Sequence, residues 1–139
     1  MGGFDAIVEE GSERGDYTDG FVVPVPEGKA EAYQQLAAKM AKVFRRHGAT
    51  RVVEALSDDV PKGQVTDFYR AVKAEDAEKV VFSFIEWRDK DTRDQAWQKI
   101  MSDESLKPEG EMPFSGQRMF WGGFEPIFDT AKPREPANA

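Results

Sequence analysis

The chain has 139 residues, of which 40% are hydrophobic and 32% charged, a size and balance that fit one soluble globular domain and exclude a disordered polymer. Its formal charge of −7 and pI near 4.8 make phosphate backbones and anionic lipid surfaces unfavourable partners, so neither nucleic acid nor membrane is expected. There is no cysteine, which excludes disulfides, thiolate nucleophiles and thiolate metal sites together.

Residues 1–16, MGGFDAIVEEGSERGD, carry no basic leader and no apolar run longer than Ala6-Ile7-Val8. They are read as an extension, ordered at most around Phe4 to Val8, and as neither signal peptide nor anchor, so a cytoplasmic location is expected. The first strand is predicted from about Asp19 to Val25, with Pro24 and Pro26 ending it because they lack ladder donors. From Glu27 to His47, Tyr33, Leu36, Ala37, Met40, Val43 and Phe44 recur at three- and four-residue steps, the mark of an amphipathic helix. Gly48 stops it by accepting a left-handed conformation.

Thr50 to Leu56 reads as a second strand, and Asp58-Asp59-Val60-Pro61-Lys62-Gly63 as a turn. In the connection from Gln64 to Glu78, the stretch Thr66 to Val72 reads as a further extended piece. The third strand is Lys79 to Trp87. Asp89 or Asp91 caps a second helix, which reaches about Ser102 with Ala96, Trp97, Ile100 and Met101 on its apolar stripe. A proline-bearing loop leads to the fourth strand, Gln117 to about Glu125, and residues 129–139 read as a flexible tail.

The order βαββαβ implies an α+β, ferredoxin-like domain over residues 17–128, with a four-stranded antiparallel sheet and two helices on one face. Strand residues alternate between faces, yet both parities are apolar. In the third strand, for example, Val80, Phe82 and Phe84 oppose Val81 and Ile85. Helices can cover one face only, so the other is expected to be buried in a homodimer. In MFWGGFEP, Gly122 and Gly123 each delete a side chain from one face, marking places of close packing at an interface.

The blocks Asp19-Gly20-Phe21-Val22-Val23-Pro24-Val25-Pro26, His47-Gly48-Ala49, Asp58-Asp59-Val60-Pro61, Arg70-Ala71-Val72-Lys73-Ala74, Met112-Pro113-Phe114 and Gly122-Gly123-Phe124-Glu125 closely resemble the YbaA-like family of bacterial proteins of unknown function. The resemblance covers about residues 17–128. It implies membership of the dimeric α+β barrel group, in which two ferredoxin-like subunits join their sheets. Members of that group include cofactor-independent monooxygenases, haem-degrading enzymes and isomerases, so the resemblance leaves the chemistry open.

His47, the only histidine, falls on the apolar stripe in the last helical turn. There it can serve as a general base, or simply pack while feeling the helix dipole. Glu54, between Val53 and Ala55, points either into a helix-side cavity, where a carboxyl becomes a catalytic acid or base, or to solvent at a sheet edge. Tyr33, Phe82, Phe84 and Trp121 are candidate walls of a ligand cavity, and Arg70 and Arg118 candidate anchors for an anionic group. Each has a plain structural alternative in core packing or surface ion pairing. Asp58 and Asp59 lack further ligands for a metal and read as turn caps. Arg14-Gly15-Asp16 spells an adhesion tripeptide of no weight at that length, and Ser115 lacks the strand-to-helix elbow of a serine nucleophile. Two functions remain: a cofactor-free binder or enzyme for a small aromatic or enolisable molecule, or a non-catalytic interaction dimer. A cavity of several hundred cubic ångströms with convergent polar groups would favour the first.

Overall fold

The computed structural model describes residues 2–108 and 110–131. Most of the expected tail, residues 132–139, and residue 109 lie outside them.

The described residues form β1 (Gly3–Gly11), β2 (Tyr17–Pro26), α1 (Ala30–Arg46), β3 (Ala49–Asp59), α2 (Phe68–Ala71), β4 (Glu78–Trp87), α3 (Lys90–Ser102) and β5 (Phe120–Phe124). All five strands join one open antiparallel sheet in the order β1-β3-β4-β2-β5. The architecture is therefore α+β, but with five strands rather than four. The added one is β1, built from residues expected to be an extension. A register shift between Ala6 and Val8 breaks the two-residue alternation by which a strand is recognised.

A second correction concerns Thr66 to Val72, which contains the short helix α2 instead of an extended piece. Asp67 caps it, its carboxylate accepting from the backbone N–H of Arg70 at 2.7 Å and of Gly63 at 3.1 Å. That carboxylate organises the preceding turn too. Asp58 and Asp59 are instead exposed residues ending β3.

β2 ends at Pro26 as expected, but Pro24 sits inside the strand without breaking it, and the register explains why. Pro24 faces Val80 across the β2–β4 pair, and the Val80 N–H turns away to the Ser57 hydroxyl on β3 at 3.1 Å. In such a non-hydrogen-bonded pair the Pro24 nitrogen points to the opposite side of β2. There β5 has already ended, since its pairing stops at Val22. No ladder donor is missed.

Helices α1 and α3 lie against the face that carries Val23, Val52, Val81, Ile85 and Trp87, and these join Tyr33, Ala37, Val43, Phe44, Ala96 and Ile100 in the main core. α1 stops at Gly48, which takes φ 109°, a conformation that costs glycine nothing. The opposite face holds a smaller cluster in which Val72, beside α2, covers Val22 and Val80. Phe82, Phe120 and Phe124, also on that face by register, remain 39%, 45% and 63% exposed. No helix among the described residues is long and apolar enough to cross a membrane.

Candidate functional site

Glu54 lies mid-strand in β3, opposite Ser83 of β4 and beside Val8 of β1. The pleat turns Glu54 and Ser83 to the helix side, beneath α1. From α1, the Tyr33 hydroxyl donates to Glu54 Oε2 at 2.8 Å. These three polar side chains converge in a cavity of about 1080 Å³ between sheet and helices, the upper end of the size range for small-molecule sites.

Two stripe residues of α1, Leu36 and Met40, line the cavity half-buried, Met40 also packing against the main core. Phe21, Phe44 and Trp97 form its inner wall, and Met112, Phe114 and Met119, between α3 and β5, its outer wall. The Phe114 ring meets Tyr33 edge-on at 5.9 Å between centroids.

Burial raises the Glu54 carboxyl from 4.5 to about 7, against the opposing pull of hydrogen bonds from Tyr33 and Ser83. The Tyr33 phenol is pushed well above its ordinary value by burial and by the neighbouring Glu54 charge, so Tyr33 stays a donor at all ordinary pH. A carboxyl raised towards neutrality by burial in this way suits a general acid or base.

Trp97 is held in place by a buried carboxylate. Asp19, 1% exposed, accepts on Oδ2 from the indole N–H of Trp97 at 2.8 Å and of Trp87 at 2.9 Å. Its Oδ1 accepts from Arg93 Nε at 2.9 Å and faces Arg93 Nη2 at 2.8 Å. Both oxygens of this buried carboxyl are thus met by charge-assisted and neutral donors. The cluster ties α3 to β2 and β4 and fixes the indole that walls the cavity.

Of the residues proposed from the sequence, Glu54 and Tyr33 come together. His47 caps the C-terminus of α1 half-buried, its backbone N–H on the carbonyls of Val43 and Phe44, outside the cavity lining. Phe84 lies on the other sheet face, beside Phe82 and under the Arg51 guanidinium at 5.3 Å. Arg70 is exposed, 3.6 Å from Asp67. Arg118 forks onto Glu78 at 2.6 and 2.7 Å and also reaches the Lys73 carbonyl at 2.9 Å. Trp121, on edge strand β5, is 63% exposed. At Gly123 an added Cβ would overlap the Tyr17 hydroxyl and crowd Arg93, so the close approach there is made by side chains of the same chain. At Gly122 it would meet only the Phe124 ring, at ordinary contact distance.

Ser83, Phe21, Phe44 and Trp97 were not singled out from the sequence as site residues. Ser83 carried a usable signal as the lone polar residue in Val80-Val81-Phe82-Ser83-Phe84-Ile85. Among the described residues no group of three or more His, Asp or Glu is arranged to hold a metal ion.

Fold and site together define a small α+β sheet protein with a hydrogen-bonded Tyr33–Glu54 pair lining a largely apolar cavity. The chain belongs to the family described as "Protein of unknown function (DUF1428)", which matches residues 16–116. It is 57% identical over 114 residues to the "Uncharacterized protein YbaA" of Escherichia coli (strain K12), covering 81% of this chain and 97% of that relative. The same figures hold for the protein of that description from Shigella flexneri.

Proposed function

We propose that the protein binds a small aromatic or enolisable molecule in the cavity between sheet and helices, and that Glu54 exchanges a proton with it. The observation that carries this reading is the Glu54 carboxyl, titrating near neutrality at the end of an apolar cavity of about 1080 Å³. A solid interior would have favoured the non-catalytic alternative. Ionised Glu54 takes a proton from a carbon next to a carbonyl, or from an enol hydroxyl, and the carboxylic acid so formed returns it to the same molecule. Tyr33, always protonated, supplies the hydrogen bond that holds the carboxylate in line.

The second part of the proposal is assembly. The four strands β2 to β5, with α1 and α3, are read as a ferredoxin-like unit to which β1 adds an edge, a reading supported by the order β3-β4-β2-β5. Two such units pair through the face left open by the helices, as in a dimeric α+β barrel. The exposure of Phe82, Phe120 and Phe124 on one sheet face supports this, because large apolar patches on a protein surface commonly mark interaction sites.

A thermal-shift screen of small aromatic and carbonyl compounds tests the cavity. A ligand that binds only the folded state raises the midpoint by mass action, by about 2.7 kcal/mol of stability when present at ~100 times its Kd. Hits whose effect changes in Glu54→Gln support the proposal. A screen without a single hit at millimolar concentration overturns it.

A further inference from the structure

Resting on the cavity reading above, we propose that the site selects uncharged, largely apolar molecules carrying one hydroxyl, enol or carbonyl group, which meets Glu54. The pliable walls discriminate by polarity more than by outline. Four of the chain's five methionines, Met40, Met101, Met112 and Met119, line the cavity. Unbranched thioethers repack around ligands of different shape, as they do at promiscuous apolar sites.

The polar end is the opposite of pliable. Glu54 and Ser83 project from adjacent strands and Tyr33 from α1, and no arginine or lysine joins them there. An anionic ligand group would be desolvated against a carboxylate without a counter-ion. An ammonium would bring a second charge into an apolar chamber whose one carboxylate already engages Tyr33. The charged groups on the remaining walls belong to the periphery. They are Lys29, held at 3.2 Å by Glu111; Lys107, held at 3.0 Å by Glu104; Lys39, exposed on α1; and Asp103, engaged with Ser105 at 2.6 Å. Neither sign dominates that set enough to draw a charged molecule inward.

A single polar partner of this kind reads its ligand in two ways. As a carboxylate, Glu54 accepts from a hydroxyl; as a carboxylic acid, it donates to a carbonyl. The chamber therefore favours donors on the alkaline side of its titration and acceptors on the acid side.

The test is a matched naphthalene series, namely naphthol, acetylnaphthalene, naphthoate and naphthylmethylammonium, followed by calorimetry. At neutral pH the two uncharged members are expected to bind at least about tenfold more tightly than either ion, a gap of about 1.4 kcal/mol. Between about pH 6 and about pH 8, naphthol should gain affinity and acetylnaphthalene lose it, and both trends should vanish in Glu54→Gln. Naphthoate or the ammonium binding as tightly as naphthol would overturn the selectivity while leaving the cavity reading intact. Uncharged ligands bound equally at both pH values would overturn the contact with Glu54. Failure of all four to bind would remove both proposals together.

Discussion

At the scale of single residues, Glu54 and Asp19 answer the same problem, a carboxyl removed from water, in opposite ways. Asp19 is saturated by two indoles and the Arg93 guanidinium, and it holds structure. Glu54 receives only hydroxyls, so burial prevails and its proton is retained to about pH 7. The consequence for stability has a definite sign. Between pH 4.5 and about 7 the folded protein keeps a proton that the unfolded chain has released, so stability falls as pH rises through that window and levels off above it. Glutamine mimics the protonated form without titrating. Glu54→Gln should therefore match the wild type below about pH 5 and exceed it above about pH 8, by at most about 3 kcal/mol. Denaturant titrations of both proteins at the two pH values give the comparison directly. Equal stability at alkaline pH would mean that the carboxyl is ordinarily solvated. A group that lowers stability at neutral pH, beside an open chamber, is the kind retained for what it does to a ligand.

At the scale of elements, β5 is the most weakly held strand, with five residues, pairing only to β2 and with Trp121 and Phe124 mostly exposed. Its approach is fixed by Arg118, which forks onto Glu78 at the start of β4 and also bonds the Lys73 carbonyl. Glu78 is held below the usual carboxylate range by that guanidinium, and its side chain is almost wholly buried. Removing the partner leaves a desolvated charge, so Arg118→Ala should cost about 2 kcal/mol, with Arg118→Lys between it and the wild type because an ammonium cannot reproduce the fork. Earlier hydrogen exchange at the β5 amides than at those of β4 would localise the loss. A uniform effect below about 0.5 kcal/mol would place Arg118 among ordinary surface charges.

The sequence revealed elements to the extent that each carried its own periodicity. The α1 stripe from Tyr33 to Phe44 and the doubly apolar β4 were legible because one residue spacing decided them. β1 was hidden by its bulge, α2 by having only four residues. Glu54 and Tyr33 were each visible as candidates, but their meeting was not. It depends on the angle at which α1 crosses β3, which no local spacing encodes. The roles of Phe84 and Arg118 likewise turned on which face of a strand and which distant carboxylate they reach.

At the scale of the whole molecule, the two faces of the sheet differ: one carries the open-mouthed cavity beneath α1 and α3, and the other carries Phe82, Phe120 and Phe124 partly exposed. Phe82 extends that surface toward β1 and α2 through ring contacts with Phe4 at 5.9 Å and Phe68 at 6.4 Å. Aromatic side chains on this face thus come from β1, α2, β4 and β5. The proposed pairing of two such faces would bury the second apolar side of β4. Aspartate at both Phe82 and Phe124 would place four carboxylates in the shared interface without counter-ions, a repulsive and desolvated arrangement that association does not survive. The double variant should therefore run as a single chain in light scattering at micromolar concentration, where the wild type is expected to give twice that mass. Because both positions are already partly exposed in the single chain, its circular dichroism should be unchanged, and naphthol should still enter the cavity on the other face. A wild-type mass of one chain would refute the pairing. A variant that remains dimeric would move the interface off this face.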